Sequence, residues 1–128
     1  MLIEIAICMF NFEKLDVWSE AMVLADTVYR VTKDFPEGER FGLTVQMRRA
    51  AVSVSSNIAE GSSRHSKIDF ARFVEIAAGS LFELISQSFI AKNQKMLGAG
   101  AHEEIYLAGE KLGKMLSGLR NHLTAASR

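Results

Sequence analysis

Residues 43–61 read LTVQMRRAAVSVSSNIAEG, and the spacing within this stretch decides the fold class. Leu43, Met47, Ala50, Val54 and Ile58 recur every three or four residues, which puts them on one face of an α-helix. Val45, Val52 and Ala59 fall about 180° away at ~100° per residue. A polar stripe of Gln46, Arg49, Ser53, Asn57 and Glu60 runs between the two faces. A helix that is apolar on opposite sides has to cover both. One face fills a bundle core. The other needs a further helix or a second copy of the chain, so Val45, Val52 and Ala59 are the candidate subunit interface. Gly61 stands where a C-terminal cap is expected.

Three more helices are predicted around this one. The first spans roughly residues 17–33, with Asp16 as its cap and a buried stripe of Trp18, Ala21, Met22, Ala25, Val28, Tyr29 and Thr32. The run Phe35, Pro36, Glu37, Gly38 ends it. The third starts at Ser66, where Ser66 and Asp69 have capping-box spacing, and continues to about residue 95. Its main face is Phe70, Phe73, Val74, Ala77, Leu81, Leu84 and Ile85, widened by Ala71, Ala78, Phe82 and Phe89. After a turn at residues 97–100, the fourth spans about 102–123 on Ile105, Ala108, Leu112, Met115, Leu119 and Leu123. Gly109 and Gly113 lie inside it, one turn apart, as expected where two helices approach closely. Long helices with short connections predict an all-α, antiparallel up-down four-helix bundle over residues 12–128 that assembles into a homo-oligomer.

Residues 1–11 form an N-terminal extension. Residues 1–10 are apolar but carry Glu4 and fall short of the ~20 residues that span a bilayer, so no membrane association is expected. Either the extension packs on the body or translation begins at Met9, and the second is preferred. Cys8 is the only cysteine, which excludes an internal disulfide and suits a reducing cytoplasm.

The formal net charge is zero, which argues against a protein that coats DNA generically. The charge is nevertheless uneven. Residues 1–39 hold 3 basic and 8 acidic side chains, whereas residues 40–72 hold 6 and 2. Arg48, Arg64, Lys67 and Arg72 in the basic middle are candidate phosphate contacts. The alternative is a solvated face balanced by the acidic first helix. The polar stripe likewise has two readings, a binding surface or a hydrogen-bonded seam between helices or subunits, and the seam is favoured.

Motifs for chemistry are missing. A di-iron bundle needs Glu-x-x-His pairs on two helices, and no acidic residue here has histidine three positions later. His102-Glu103 begins a zinc-type motif that Tyr106 breaks. His65, His102 and His122 therefore read as solvent-facing. GEKLGK at residues 109–114 lacks a spacer and the closing Ser or Thr of a phosphate loop. Neither a catalytic site, a metal nor a cofactor is expected.

The segments FEKLDVWSEAM, from Phe12, and FPEGERFGLTVQMRRAAVSVSSNIAEG, ending at Gly61, resemble the four-helix-bundle family of 23S rRNA intervening-sequence proteins. FARFVEIAAGSLFEL at residues 70–84 continues the likeness, and RRAAVSVSSNIAEG at 48–61 is its most specific piece. The resemblance implies an up-down bundle, a ring-forming homopentamer and no enzymatic activity. The family in turn resembles the accessory protein of diversity-generating retroelements, a basic pentameric barrel that binds nucleic acid and a reverse transcriptase. Ser55 stands where proline is usual, Ile85 and Ser88 where glutamate and leucine are usual, and the turn after Gly61 carries less charge. The expected function is a non-enzymatic homo-oligomeric scaffold that binds RNA, DNA or a nucleic-acid enzyme through its basic patch. The alternative is a purely structural assembly module whose partner is another protein.

Overall fold

The computed structural model describes residues 10–125. The reading of residues 1–9, including Cys8 and a start at Met9, lies outside the described residues. Four α-helices account for most of the described chain: α1 (Asp16–Thr32), α2 (Leu43–Ser62), α3 (Lys67–Asn93) and α4 (Ala99–Ala125). Single 3-10 turns, Asn11–Lys14 and Glu37–Glu39, precede α1 and α2, and there is no strand among the described residues. Helix α1 packs on α2, α2 on α3, α3 on α4, and α4 closes back onto α1.

One contiguous core runs through all four helices. Leu24 and Val28 of α1, Met47, Val54 and Ile58 of α2, Leu81 and Leu84 of α3, and Ile105, Leu112 and Leu116 of α4 are almost entirely withdrawn from solvent. Burying each such side chain is worth ~1.5–3 kcal/mol. The face predicted for α2 is the one that is buried. In α1 the stripe is shifted. Val17, Leu24 and Val31, a heptad apart, point inward, while Met22 and Tyr29 stay 38% and 42% exposed. Helix α1 is apolar over a wide arc, so its neighbours choose the face.

Several helix ends differ from expectation. Leu15, not Asp16, is the N-cap of α1, and Asp16 lies in the first turn. There its charge meets the positive end of the helix dipole, worth ~0.3–1 kcal/mol. The carboxylate of Glu39 accepts from the Leu43 amide at 3.0 Å and caps α2. Ser66 does cap α3, accepting from the Asp69 amide at 3.0 Å. Ser55, where a proline was expected, is buried and its hydroxyl donates to the Val52 carbonyl, so α2 runs through unbroken.

Gly61 is not a cap. It sits within the last turn of α2 with an ordinary φ, and a Cβ there would lie 2.7 Å from the Cβ of Phe73 and 2.8 Å from Cδ1 of Phe70. Its lack of a side chain lets α3 fold back tightly over α2. Gly109 plays the predicted close-approach role, since its Cβ would meet Cδ1 of Ile85 at 2.5 Å, whereas Gly113 makes only ordinary contact with Leu81. The chain reverses before the predicted glycine turn, at Lys95, whose φ is +63°. The Met96 amide bonds to the Ala91 carbonyl and the Lys95 amide to that of Lys92, the Schellman arrangement that ends a helix. Leu97 is then buried and α4 begins at Ala99.

Candidate functional site

The four candidate phosphate-binding residues do not form one patch. Arg48 lies in the first half of α2 and Arg64 just past its C-terminal end, sixteen residues on, roughly 24 Å at the helical rise per residue. Arg48 is a structural side chain. Its Nε donates to the Thr32 hydroxyl at 2.8 Å, and its guanidinium lies 4.6 Å from the centroid of Tyr29. Nη2 also reaches the Tyr29 carbonyl, one of those left open at the end of α1. Arg64, Lys67 and Arg72 cluster where α2 turns into α3. Arg64 pairs with Glu60 at 3.0 Å and covers the ring of Phe73 at 4.6 Å. Arg72 pairs with Asp69 at 3.3 Å. Lys67 is exposed and in no ion pair among the described residues. The acidic first helix does not balance this corner. Its Glu20 pairs with Lys111 and its Arg30 with Glu104, both on α4.

The polar stripe divides into a half-buried middle and exposed ends. Ser53 and Ser80 share a 2.8 Å hydrogen bond across α2 and α3. The Asn57 amide donates to both the carbonyl and the hydroxyl of Ser53. These three residues form a seam that fixes one helix against the next. Glu60 belongs to the corner through Arg64. Gln46 and Arg49 are exposed, and Arg49 is in no ion pair among the described residues.

Val52 of the candidate interface is 42% exposed, and Val45 and Ala59 are half-buried. Val45 and Val52 line a shallow hollow of about 480 Å³ between α1 and α2, shared with Tyr29, Arg48, Arg49 and Ser53. Ala59 lies outside it, two turns further along α2.

A larger feature was missed from sequence. A groove of about 1010 Å³ runs between α3 and α4. Phe82, Phe89 and Tyr106 form its walls, and Gly109 and Gly113 open its floor. Phe82 is 75% exposed. An ion pair between Glu75 and Arg120 at 3.4 Å marks one end, and Glu110 and Lys114 lie on the rim. The signal was present in Phe82 and Phe89, a heptad apart on the shoulder of the α3 stripe, opposite two glycines of α4. From the sequence those phenylalanines only widen the apolar face of α3, and the groove they border needs α4 in place.

His102, predicted to face solvent, is buried. Since α4 starts three residues earlier than expected, His102 falls on the core stripe with Ile105, Gly109 and Leu112. Phe89 packs edge-on against it at 4.5 Å, and Tyr106 lies beyond. Burial pushes its pKa below the ordinary value, and the charge of Lys92 adds to the shift. Its Nε2 has no hydrogen-bond partner. His65 and His122 are exposed as expected. Among the described residues no three His, Cys, Asp or Glu side chains converge as a metal site would require.

The matching segment spans nearly the whole bundle. A family profile described as 23S rRNA-intervening sequence protein matches residues 13–118. The chain belongs to that family. Among solved structures it is similar to a protein of unknown function from the S23 ribosomal protein family of Bacteroides thetaiotaomicron, with a TM-score of 0.73 and 20% identity. That likeness covers 81% of this chain and 97% of the other. At such identity it speaks for the fold. No curated protein matches the chain.

Proposed function

We propose that this 23S rRNA-intervening sequence family member is a non-enzymatic scaffold. It assembles with copies of itself and presents the corner of Arg64, Lys67 and Arg72 to nucleic acid or to an enzyme acting on nucleic acid. The protomer in this reading is an antiparallel up-down bundle. Cross-helix pairs support that, since Glu20 meets Lys111 while the later Arg30 meets the earlier Glu104. The observation that carries the assembly is the uncovered side of α3. An 18-residue window of this helix has a mean hydropathy of 1.3 yet is only 33% buried. Lys67, Asp69, Arg72, Glu75, Glu83 and Lys92 lie along the helix, which fits a protein interface better than lipid. Apolar surface of this extent marks association sites on water-exposed proteins.

The corner supports the second half of the reading. Each subunit offers a modest cationic cluster, and a ring multiplies it against a long polyanion. The family description names 23S rRNA, so structured RNA is the first polyanion to test. Fluorescence anisotropy with structured RNA and with duplex DNA, at two salt concentrations, should show binding that weakens with salt. Reversing Arg64, Lys67 and Arg72 together should abolish it. Absence of binding at low salt, or binding indifferent to those reversals, refutes the nucleic-acid half.

A purely structural module with a protein partner is the second reading. The internal pairing of Arg64 and Arg72 favours it, because those charges are already partly neutralised. Capture of a protein partner from the native host that survives nuclease treatment, by a chain that ignores RNA, would select it.

A further inference from the structure

We propose that the groove between α3 and α4 seats the α1–α2 edge of a second copy of this chain, so that protomers join head to tail. This rests on the self-assembly reading and names the two surfaces that meet.

Position comes first. The helices pack in a closed cycle from α1 to α4, so the hollow between α1 and α2 and the groove between α3 and α4 lie on opposite sides of the protomer. A pair of surfaces so placed makes heterologous contacts, which close into a ring or continue as a filament.

Shape comes next. The groove is too large for one inserted side chain and has the dimensions of a seat for a helix edge. The α1–α2 edge presents Tyr29 and Val52, each 42% exposed, with Val45 between them. These would meet Phe82, Phe89 and Tyr106, of which Phe82 is the least covered apolar side chain of α3.

Charge decides which surfaces pair. Arg48 is held by Thr32 and Tyr29, whereas Arg49, which also lines the edge, is in no ion pair among the described residues. No carboxylate lines that hollow. On the groove, Glu75 is held by Arg120, while Glu110 is in no ion pair among the described residues. Arg49 of one copy therefore has its counterpart in Glu110 of the next. A two-fold contact of edge on edge would instead bring two hollows lined by Arg48 and Arg49, neither with a lining carboxylate, onto one interface and leave the groove open. Complementary charges fix register and suppress that pairing.

The test is light scattering on the full chain and its variants, with circular dichroism confirming helix content. Phe82 and Arg49 are exposed, so F82E and R49E leave the protomer folded. Each should reduce the parent assembly to a single chain of 14.2 kDa, as should E110R, and the double variant R49E/E110R should restore the assembly. In a Cys8→Ser background, V52C chains mixed with F82C chains should form mixed disulfides on oxidation, well above links within either kind. A monomeric parent overturns both this placement and the self-assembly reading. An oligomeric parent that keeps its mass through F82E, R49E and E110R, or that gives V52C–V52C links instead of mixed ones, overturns the placement alone.

Discussion

Replacing Gly61 with alanine tests the tightest contact in the bundle. Two effects oppose each other. Alanine in place of glycine within a helix gains up to ~1 kcal/mol of propensity. Against this, the new Cβ would lie 2.7 Å from Cβ of Phe73, an atom attached directly to the α3 backbone. That neighbour cannot rotate away, so α3 must shift bodily. Overpacking of this kind costs ~1–3 kcal/mol, so that net of the propensity gain G61A is less stable by up to ~2 kcal/mol. Gly109→Ala provides the contrast. Its Cβ would meet Cδ1 of Ile85 at 2.5 Å, and that atom is the flexible end of a side chain bordering an open groove. Ile85 can turn outward, so G109A should fall within ~1 kcal/mol of the parent. Gly118→Ala is the control. Nothing lies within 4 Å of its Cβ, so it should gain ~0.5–1 kcal/mol from propensity alone. Urea unfolding monitored by circular dichroism, at one protein concentration because assembly adds to stability, should rank the variants G118A, parent, G61A. With an m-value of ~1–3 kcal/mol/M, a loss of ~2 kcal/mol lowers the G61A midpoint by roughly 0.7–2 M. A G61A midpoint at or above that of the parent refutes the close-contact argument.

Lys95 holds a left-handed conformation that glycine adopts without penalty, so Lys95→Gly should stabilise the protein by ~1 kcal/mol, raising the thermal midpoint. His102 has a folded-state pKa below that of the unfolded chain, so the unfolded state takes up the proton first. Stability should therefore be full above about pH 6.5 and decline as pH falls below it. Unfolding midpoints at pH 7.5 and 5.5 should differ less in His102→Phe than in the parent, and an equal difference would rule out His102 as the source. Arg48→Met should cost ~1 kcal/mol through loss of the charged hydrogen bond to Thr32, while leaving affinity for RNA unchanged. Removing either hydroxyl of the Ser53–Ser80 pair should destabilise by ~0.5–1.5 kcal/mol. In a double-mutant cycle the two losses should be non-additive.

The sequence by itself determined the helices and the buried face of α2. Met47, Ala50, Val54 and Ile58 follow the 3.6-residue period, and that period is a local property of the backbone. The Ser66 cap was legible for the same reason, because donor and acceptor are three residues apart. Membership of the family was also legible, in the specific run at residues 48–61. Whatever depended on atoms far apart in the chain was decided by tertiary structure. Gly61 looked like a cap from its place at the end of a periodic run, but Phe70 and Phe73 make it a point of close approach. His102 looked exposed because the start of α4 was misplaced, and the Phe89 ring across the helix pair covers it. The basic residues looked like one patch because they share a segment. Helix length separates Arg48 from the rest, and Thr32 occupies it. The groove between α3 and α4 needed both helices in place, since a concavity is a relation between surfaces and no single periodic stripe encodes it.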